Sequence, residues 1–208
     1  MTSIASVTIE ATDTAAAERF YAKAFGLTGQ VRVRAAQEPS TGFRGFTLSL
    51  TVAQPGNVDA LIEAALAEGA TVLKPAAKSL WGYGGVITAP DGTIWTIATS
   101  SKKDTAPPSR DFESVVLLLG VADVPASKRF YTDHGFTVAK SFARMYVEFA
   151  ADDSPVKLAL YRRKALAKTA GVSPEGSGSH RLAITCPEGP FTDPDGFVWE
   201  ATSLAAAG

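Results

Sequence analysis

One arrangement of residues occurs twice in this chain, about 110 positions apart. An aspartate opens an Ala-rich or helix-forming stretch that carries a Phe-Tyr pair, and each copy closes on a Pro-Asp-Gly turn before a tryptophan. The matched residues are Asp13, Phe20, Tyr21, Asp91, Gly92 and Trp95 in the first copy and Asp123, Phe130, Tyr131, Asp195, Gly196 and Trp199 in the second. A repeat of this length is a whole structural module, so the sequence predicts two halves related by a pseudo-twofold axis.

Local patterns predict the elements of each module. Residues 4–12 alternate as a strand, Asp13 is a suitable N-cap for the helix that follows, and Gly26 is suited to end it. Residues 57–68 carry one apolar stripe and predict a second helix that ends before Gly69. Both Asp-Gly pairs lie between apolar runs, which predicts tight hairpin turns. A short helical stretch around residues 165–170 precedes a Gly/Ser-rich segment, residues 172–179, that predicts a flexible loop.

Composition excludes several classes of partner. Twenty Lys and Arg residues against 21 Asp and Glu give a net charge of -1, so the chain lacks the basic character of a nucleic-acid-binding protein. The longest apolar run, residues 115–121, is far shorter than the roughly 20 residues that span a bilayer and predicts a buried strand. No signal-like segment follows Met1, and the single cysteine, Cys186, cannot form an internal disulfide. We therefore expect a cytoplasmic protein with no membrane or nucleic-acid partner.

The two modules are shortened in complementary ways. Residues 101–110, with two lysines and two prolines, have linker composition, which places module 1 at residues 1–103, the linker at 104–110 and a trimmed module 2 at 111–208. Module 1 is short between Gly26 and Gly45, whereas module 2 is short between Ile184 and Asp195. Our hypothesis is that the modules share one reduced pocket at their junction rather than forming two complete ones.

The motifs resemble those of the vicinal oxygen chelate superfamily, which includes glyoxalase I, extradiol dioxygenases and bleomycin-resistance proteins. The resemblance lies in strand, Asp, helix with Phe-Tyr, and later an Asp-Gly turn before an aromatic-ended strand, in both halves of the chain. It is greatest to bacterial glyoxalase-like proteins, through residues 157–163, 72–75 and 81–82. The resemblance implies an α+β fold of paired βαβββ modules, with curled mixed sheets and helices on the outer face. It also implies a possible homodimer.

The superfamily's enzymes hold a divalent metal with His and Glu side chains on facing strands, and the matching positions of this chain have mostly lost them. The positions that correspond by resemblance are Ser6, Gly45 and Thr96 in the first copy and Val116, Arg181 and Glu200 in the second. Because a catalytic metal ordinarily needs three protein ligands, we expect no metal cofactor and no catalytic residue. His180 and Glu200 remain weak candidate ligands, since His180 lies one residue from the matching position and only a register shift would bring it to the correct face.

Four residues are candidates for ligand binding. Trp81 and Tyr83 lie in a Gly-rich segment that precedes a strand, where the resembling proteins have a loop near the pocket. Arg162, with its neighbour Arg163, is suited either to orient an anionic ligand or to guard a strand edge. Glu200 is either a functional carboxylate or a strand-end residue paired with an arginine such as Arg181.

Three functional classes follow from these observations. The first is a metal-free protein that binds a small, aromatic or polycyclic ligand, as the bleomycin-resistance branch does. The second is a structural relative with a filled interior, which the trimmed modules favour. The third is a metal-dependent lyase or dioxygenase of the glyoxalase type, which the missing ligands oppose. We rank the three classes in that order, so the sequence favours a protein without enzyme activity.

Overall fold

The computed structural model describes residues 2–151 and 154–202, which form fifteen strands, four α-helices and one π-helical turn. The strands are β1 (Ser6–Ala11), β2 (Val31–Ala35), β3 (Ser40–Gly42), β4 (Phe46–Thr51), β5 (Thr71–Ser79), β6 (Gly82–Thr88), β7 (Ile94–Thr99), β8 (Ser114–Val121), β9 (Val138–Phe142), β10 (Tyr146–Phe149), β11 (Val156–Arg162), β12 (Gly176–Gly178), β13 (Leu182–Cys186), β14 (Phe191–Thr192) and β15 (Val198–Ala201). The helices are α1 (Thr14–Phe20), continued by the π-helical turn Tyr21–Phe25, α2 (Pro55–Ala67), α3 (Val124–Asp133) and α4 (Arg163–Ala170). Within these residues no helix is long and apolar enough to cross a membrane.

Two mixed sheets and a small two-stranded ladder organise the chain. The larger sheet has the order β5-β6-β7-β4-β8-β11-β10-β9, the smaller one the order β14-β15-β13-β1-β2, and β3 pairs with β12. Residues 46–99 and 114–162 are each a complete β-α-β-β-β unit, and they meet through the antiparallel pair of β4 and β8. The predicted α+β class, with paired βαβββ units and curled mixed sheets, is confirmed.

The smaller sheet is built from two reduced units. Residues 6–35 supply β1, α1 and β2, residues 182–201 supply β13, β14 and β15, and β1 pairs antiparallel with β13. Each half of the chain therefore contributes one complete and one reduced unit. The two complete units pair with each other in the larger sheet, and the two reduced units pair in the smaller sheet. The two short connections seen in the sequence belong to the reduced units.

The main hydrophobic core lies between the two sheets and includes α1, α2 and α3. Alternate residues of a strand face opposite sides of its sheet, so Val115, Leu117 and Leu119 of β8 join this core, together with Leu61 of α2 and Tyr131 of α3. The sequence predicts helices on the outer face of the sheets, and α1 to α3 all pack on the side that carries the main core. The fourth helix, α4, belongs to a second cluster on the other face of the larger sheet.

The predicted helix ends are confirmed. Asp13 Oδ1 accepts a hydrogen bond from the Ala16 amide at 2.9 Å, and Asp123 Oδ1 accepts one from the Ala126 amide at 3.1 Å. Gly26 ends the first helix with φ at 68°, in the left-handed region that glycine adopts at little cost. The Asp-Gly turns also form as predicted, between β6 and β7 and between β14 and β15.

The linker and the Gly/Ser-rich segment are both tied to the rest of the molecule. Gln54 Oε1, just before α2, accepts hydrogen bonds from the amides of Thr105 at 2.8 Å and Ala106 at 2.9 Å. Residues 172–179, predicted as a flexible loop, contain β12, which pairs with β3 in register from Gly176 opposite Gly42. Long-range backbone pairing, which composition does not reveal, gives this segment its shape.

A buried tyrosine–aspartate bond links the two repeated motifs in each half. Tyr21 donates to Asp91 Oδ2 at 2.5 Å, and Tyr131 donates to Asp193 Oδ2 at 2.5 Å. The sequence match aligned Asp91 with Asp195, but in the second half Asp193, two residues earlier, accepts the bond, while Asp195 accepts from Ser127 Oγ. The Phe-Tyr and Asp-Gly motifs therefore recur together because the tyrosine of the helix is hydrogen-bonded to an aspartate of the turn segment in each half.

Burial raises the pKa of Asp193 above its usual 3.8, although the Tyr131 hydroxyl and backbone amides partly oppose the shift. Between pH 4 and the folded pKa, the native chain holds this proton more tightly than the unfolded chain, so stability from this group falls as pH rises. We expect the difference in unfolding free energy between wild type and Asp193→Asn to shrink from pH 4 to pH 7. Urea unfolding at a series of pH values measures it. A difference that stays constant or grows would contradict the assignment.

Candidate functional site

The face of the eight-stranded sheet opposite α2 and α3, here called the open face, carries a continuous cross-strand row of side chains. Thr96 of β7 lies opposite Ser49 of β4, and Ser49 lies opposite Val116 of β8. The row continues to Val86 of β6 on one side and Lys157 of β11 on the other. A parallel row contains Gly84, Ala98, Thr51 and Ser114. Most of these side chains are only half-buried, so the middle of the open face is accessible.

Helix α4 covers one end of the open face. Leu166, Ala167 and Ala170 pack in one cluster with Val86, Ile94 and Leu118. Lys74 Nζ, from β5, donates to the carbonyl oxygens of Lys168 at 2.9 Å and Thr169 at 2.6 Å. A cation at the C-terminal end of a helix satisfies its free carbonyls and complements its dipole. The helix is therefore anchored over the sheet and fills part of the space that the fold would offer a ligand.

Beside α4, the open face forms a cleft of about 370 Å³ between the β5–β6 hairpin and Thr169. Val86, Thr96 and Ala98 form its floor, and Trp81 stands at its rim. Small-molecule sites typically have this volume and a largely apolar lining with few polar groups. The floor offers hydroxyl and alkyl groups, which bind and orient a ligand but supply no general acid or base.

Glycine at position 84 keeps the floor of the cleft flat. A Cβ atom placed there would come within 2.8 Å of the Ala98 Cβ and 2.9 Å of the Ile97 carbonyl oxygen. Both are closer than van der Waals contact allows, so only glycine lets β6 and β7 pair here without displacement. The Gly-rich segment of the sequence is thus required by the packing of the cleft floor.

The structure gives Trp81 and Tyr83 different environments. Trp81 lies in the turn between β5 and β6 with 83% of its surface exposed, next to the cleft. Tyr83 also borders the cleft, but its hydroxyl donates to Asp59 Oδ1 of α2 at 2.8 Å on the helix side. That bond to a carboxylate raises the pKa of Tyr83. Of the two, Trp81 is the side chain free to contact a ligand.

Arg162 lies at the opposite end of the larger sheet. It is exposed at the end of β11 and borders a separate cavity of about 550 Å³ together with Met145 and Val121. No residue lines both this cavity and the cleft beside Trp81. Arg163, the next residue, is used structurally, because its Nη2 donates to the Phe43 carbonyl oxygen at 2.6 Å and its guanidinium lies over the Phe43 ring.

Glu200 belongs to the smaller sheet and is paired with Arg34, not Arg181. Arg34 Nη1 donates to Glu200 Oε1 at 2.6 Å, and its Nη2 donates to Glu10 Oε1 at 2.8 Å. Burial alone would lower the pKa of Arg34, but the two carboxylates raise it above its usual value. Glu200 is about 39% exposed in this pair, so the interaction stabilises the fold weakly while it neutralises the carboxylate.

His180 is held by backbone carbonyl groups and a neighbouring ring, whereas Glu200 is held by Arg34. Its Nδ1 is 2.5 Å from the Arg44 carbonyl oxygen, its Nε2 is 3.1 Å from the Asp195 carbonyl oxygen, and its ring stacks on Phe197 at 4.0 Å. With both ring nitrogens engaged, this histidine ties the segment before β4 to the turn before β15. Among residues 2–151 and 154–202, no cluster of three or more His, Cys, Asp or Glu side chains has the geometry to hold a metal.

The positions that match the superfamily's metal ligands do converge, but with the wrong side chains. Thr96 and Val116 lie in one row of the larger sheet with Ser49 between them. Ser6 and Glu200 lie in one row of the smaller sheet with Thr185 between them. An alkyl group and neutral hydroxyls are poor ligands for the divalent metals that His and Glu bind, and Arg34 occupies the one carboxylate. The residues present therefore do not fit the superfamily's metal centre.

Sequence reasoning missed Ser49, Thr51 and Lys157 on the open face. Lys157 was detectable as the one charged residue inside an otherwise apolar strand, flanked by Val156 and Leu158. Those two residues are buried in the main core, which directs Lys157 to the open face. The hydroxyl residues carry no comparable signal, because their shared row depends on strand pairing across distant parts of the chain.

No protein-family model and no curated protein sequence matches this chain. Its structure is similar to that of a variant of glyoxalase I from Zea mays, with a TM-score of 0.62 and 16% identity over 97% of this chain and 92% of that one. Glyoxalase I from the same plant gives a TM-score of 0.58 and 16% identity over 89% and 75% of the two chains. A proposed dioxygenase from Bacillus subtilis gives 0.54 and 12% identity over 88% and 69%. At these identities the likeness concerns the fold.

Proposed function

We propose that this chain, which has the fold of the vicinal oxygen chelate superfamily, is a metal-free protein that binds a small aromatic or polycyclic molecule on the open face of its larger sheet. The observation that carries the proposal is the largely apolar cleft of about 370 Å³ beside Trp81, whose floor has hydroxyl and alkyl groups. Two lysines border it, Lys74, which is bonded to α4, and the exposed Lys78, and its described lining contains no His, Cys, Asp or Glu to hold a metal. Binding needs only such a pocket, whereas the superfamily's chemistry needs ligands that these positions lack. A cytoplasmic location and a homodimer remain part of the proposal.

A second candidate is a structural protein whose interior is filled. It is supported by α4, whose Leu166, Ala167 and Ala170 occupy part of the open face. A thermal-shift screen of aromatic metabolites and antibiotics separates the two candidates, since a ligand at 100 times its dissociation constant stabilises the protein by about 2.7 kcal/mol. No shift with any compound would favour the filled scaffold. One equivalent of tightly held metal in protein purified without chelator would favour the enzyme class.

For any compound that binds, we expect Trp81→Ala to raise the dissociation constant about tenfold, because a ligand in the cleft would cover the large aromatic surface of Trp81, and tryptophan is among the residues that most often carry binding energy. Isothermal titration calorimetry measures the change. Phe142→Ala is the matched control, since Phe142 is also exposed, at the end of β9 and outside the cleft. Equal losses in both variants, or no loss in Trp81→Ala, would place the ligand elsewhere.

A further inference from the structure

We infer that the ligand is an elongated molecule with an apolar group in the cleft beside Trp81 and an anionic group, such as a carboxylate, held by Lys157. This inference rests on the proposed function and adds the chemical class of the ligand. It starts from the two ends of the open face, which differ in chemistry, and from the accessible floor that joins them.

The floor is continuous from one end to the other. Strand pairing places Thr96, Ser49, Val116 and Lys157 side by side on four neighbouring strands, β7, β4, β8 and β11. All four side chains are half-buried, which leaves part of each surface accessible. Three strand spacings correspond to about 14 Å. A ligand that reaches from Thr96 to Lys157 must therefore be about that long.

The two ends differ in polarity. At the first end, Trp81, Val86 and Ala98 present aromatic and alkyl surface. At the second, Lys157 borders a cavity of about 570 Å³ whose lining combines polar and charged residues, Glu148 among them, with core residues such as Val115. Between them, Ser49 supplies a hydroxyl group able to bond a polar chain or a carboxylate oxygen, whereas the Thr51 hydroxyl is already bonded to Ser114. The site thus changes from apolar to polar along its length.

Lys157 is the cation suited to receive an acidic group. Two carboxylates line the same cavity: Glu113 is exposed, and Glu148 accepts a hydrogen bond from the Tyr146 hydroxyl at 3.2 Å and lies 3.8 Å from Lys140 Nζ. Within the described parts of the chain, the salt bridges involve Arg34 and Lys140 and leave the Lys157 ammonium for a ligand. A half-buried ammonium gains from a charged hydrogen-bond partner more than an exposed one does.

The test uses ω-phenylalkanoic acids, from phenylacetic acid to phenyloctanoic acid, and the ω-phenylalkanols of the same lengths, with the full chain and isothermal titration calorimetry. We expect affinity for the acids to rise with chain length until the molecule spans the row, and the longest acid to bind about tenfold more tightly than its alcohol. Lys157→Gln should remove the preference for acid over alcohol. Lys23→Gln, at an exposed lysine of the helical layer, should leave it intact.

The outcomes separate this inference from the proposal on which it rests. If acids and alcohols bind equally and Trp81→Ala weakens both, the inference is overturned while the proposed function stands. If Lys157→Gln leaves the affinity of the acid unchanged in a variant that unfolds like wild type, the inference is also overturned. If no compound of either series binds, the inference is overturned, and the thermal-shift screen decides separately whether the proposed function stands.

Discussion

Replacing Trp199 with alanine is expected to lower the free energy of unfolding by about 3–5 kcal/mol, the usual range for removing a buried tryptophan. Trp199 has no exposed surface and stacks on Phe191 with ring centroids 5.1 Å apart. Its ring also contacts those of Tyr131 and Phe136, each at 5.4 Å. Truncation would therefore leave a cavity at the point where β14, β15 and α3 meet.

Trp81→Ala is the matched control, because it removes the same side chain from a position that is 83% exposed. Its unfolding free energy should change by less than about 0.5 kcal/mol. Urea unfolding followed by circular dichroism compares the two variants. If Trp199→Ala does not fold, Trp199→Phe can be measured instead. We expect a smaller decrease in its free energy of unfolding, because most of the ring contacts remain. Equal stability of Trp199→Ala and Trp81→Ala would show that the tryptophan of the repeated motif is not part of the core.

The features of the fold that depend on local chemistry were predictable from sequence. Asp13 and Asp123 cap helices because a side-chain oxygen reaches an amide three residues later, whatever the rest of the chain does. Gly26 and the Asp-Gly turns adopt backbone conformations that glycine permits. The repeat indicated that the halves share these devices, and the buried bond from Tyr131 to Asp193 shows why a Phe-Tyr pair and an acidic turn occur together.

The features that depend on strand pairing were not predictable. The apolar stripe of α4 predicts a helix with one buried side. The sequence of the helix does not indicate which sheet, or which face of that sheet, it packs against. Sequence proximity suggests Arg181 as the partner of Glu200, whereas its partner Arg34 is 166 positions away in the chain and is brought within reach by the smaller sheet, in which β13 and β1 lie between their strands. Tyr83 and Gly84 are adjacent in sequence, yet the alternation of β6 sends the tyrosine hydroxyl to α2 and leaves the glycine on the open face.

We also expect that the backbone of the open face could support a metal site, and that only the side chains of the row prevent one from forming. Side chains directly opposite on neighbouring strands have Cβ atoms about 4.5–5.5 Å apart. Ser49→His, Thr96→Glu and Val116→His together would place two imidazoles and a carboxylate side by side, the ligand set of several zinc enzymes. We expect the triple variant to bind one Zn²⁺ per chain, with affinity at least about a thousandfold above that of wild type, because a tenfold change corresponds to 1.4 kcal/mol and each added ligand contributes more than that.

Calorimetric titration with Zn²⁺ measures this gain, and the double variant Thr96→Glu with Val116→His controls for metal held by two ligands. Lys157 lies next to Val116 in the same row, so adding Lys157→Met should tighten zinc binding further by removing a nearby positive charge. A triple variant that folds like wild type but binds no more zinc than the double variant would mean that these side chains do not converge. Stoichiometric binding would instead mean that the geometry of the open face can support a metal centre and that the side chains present are what leave these positions without one.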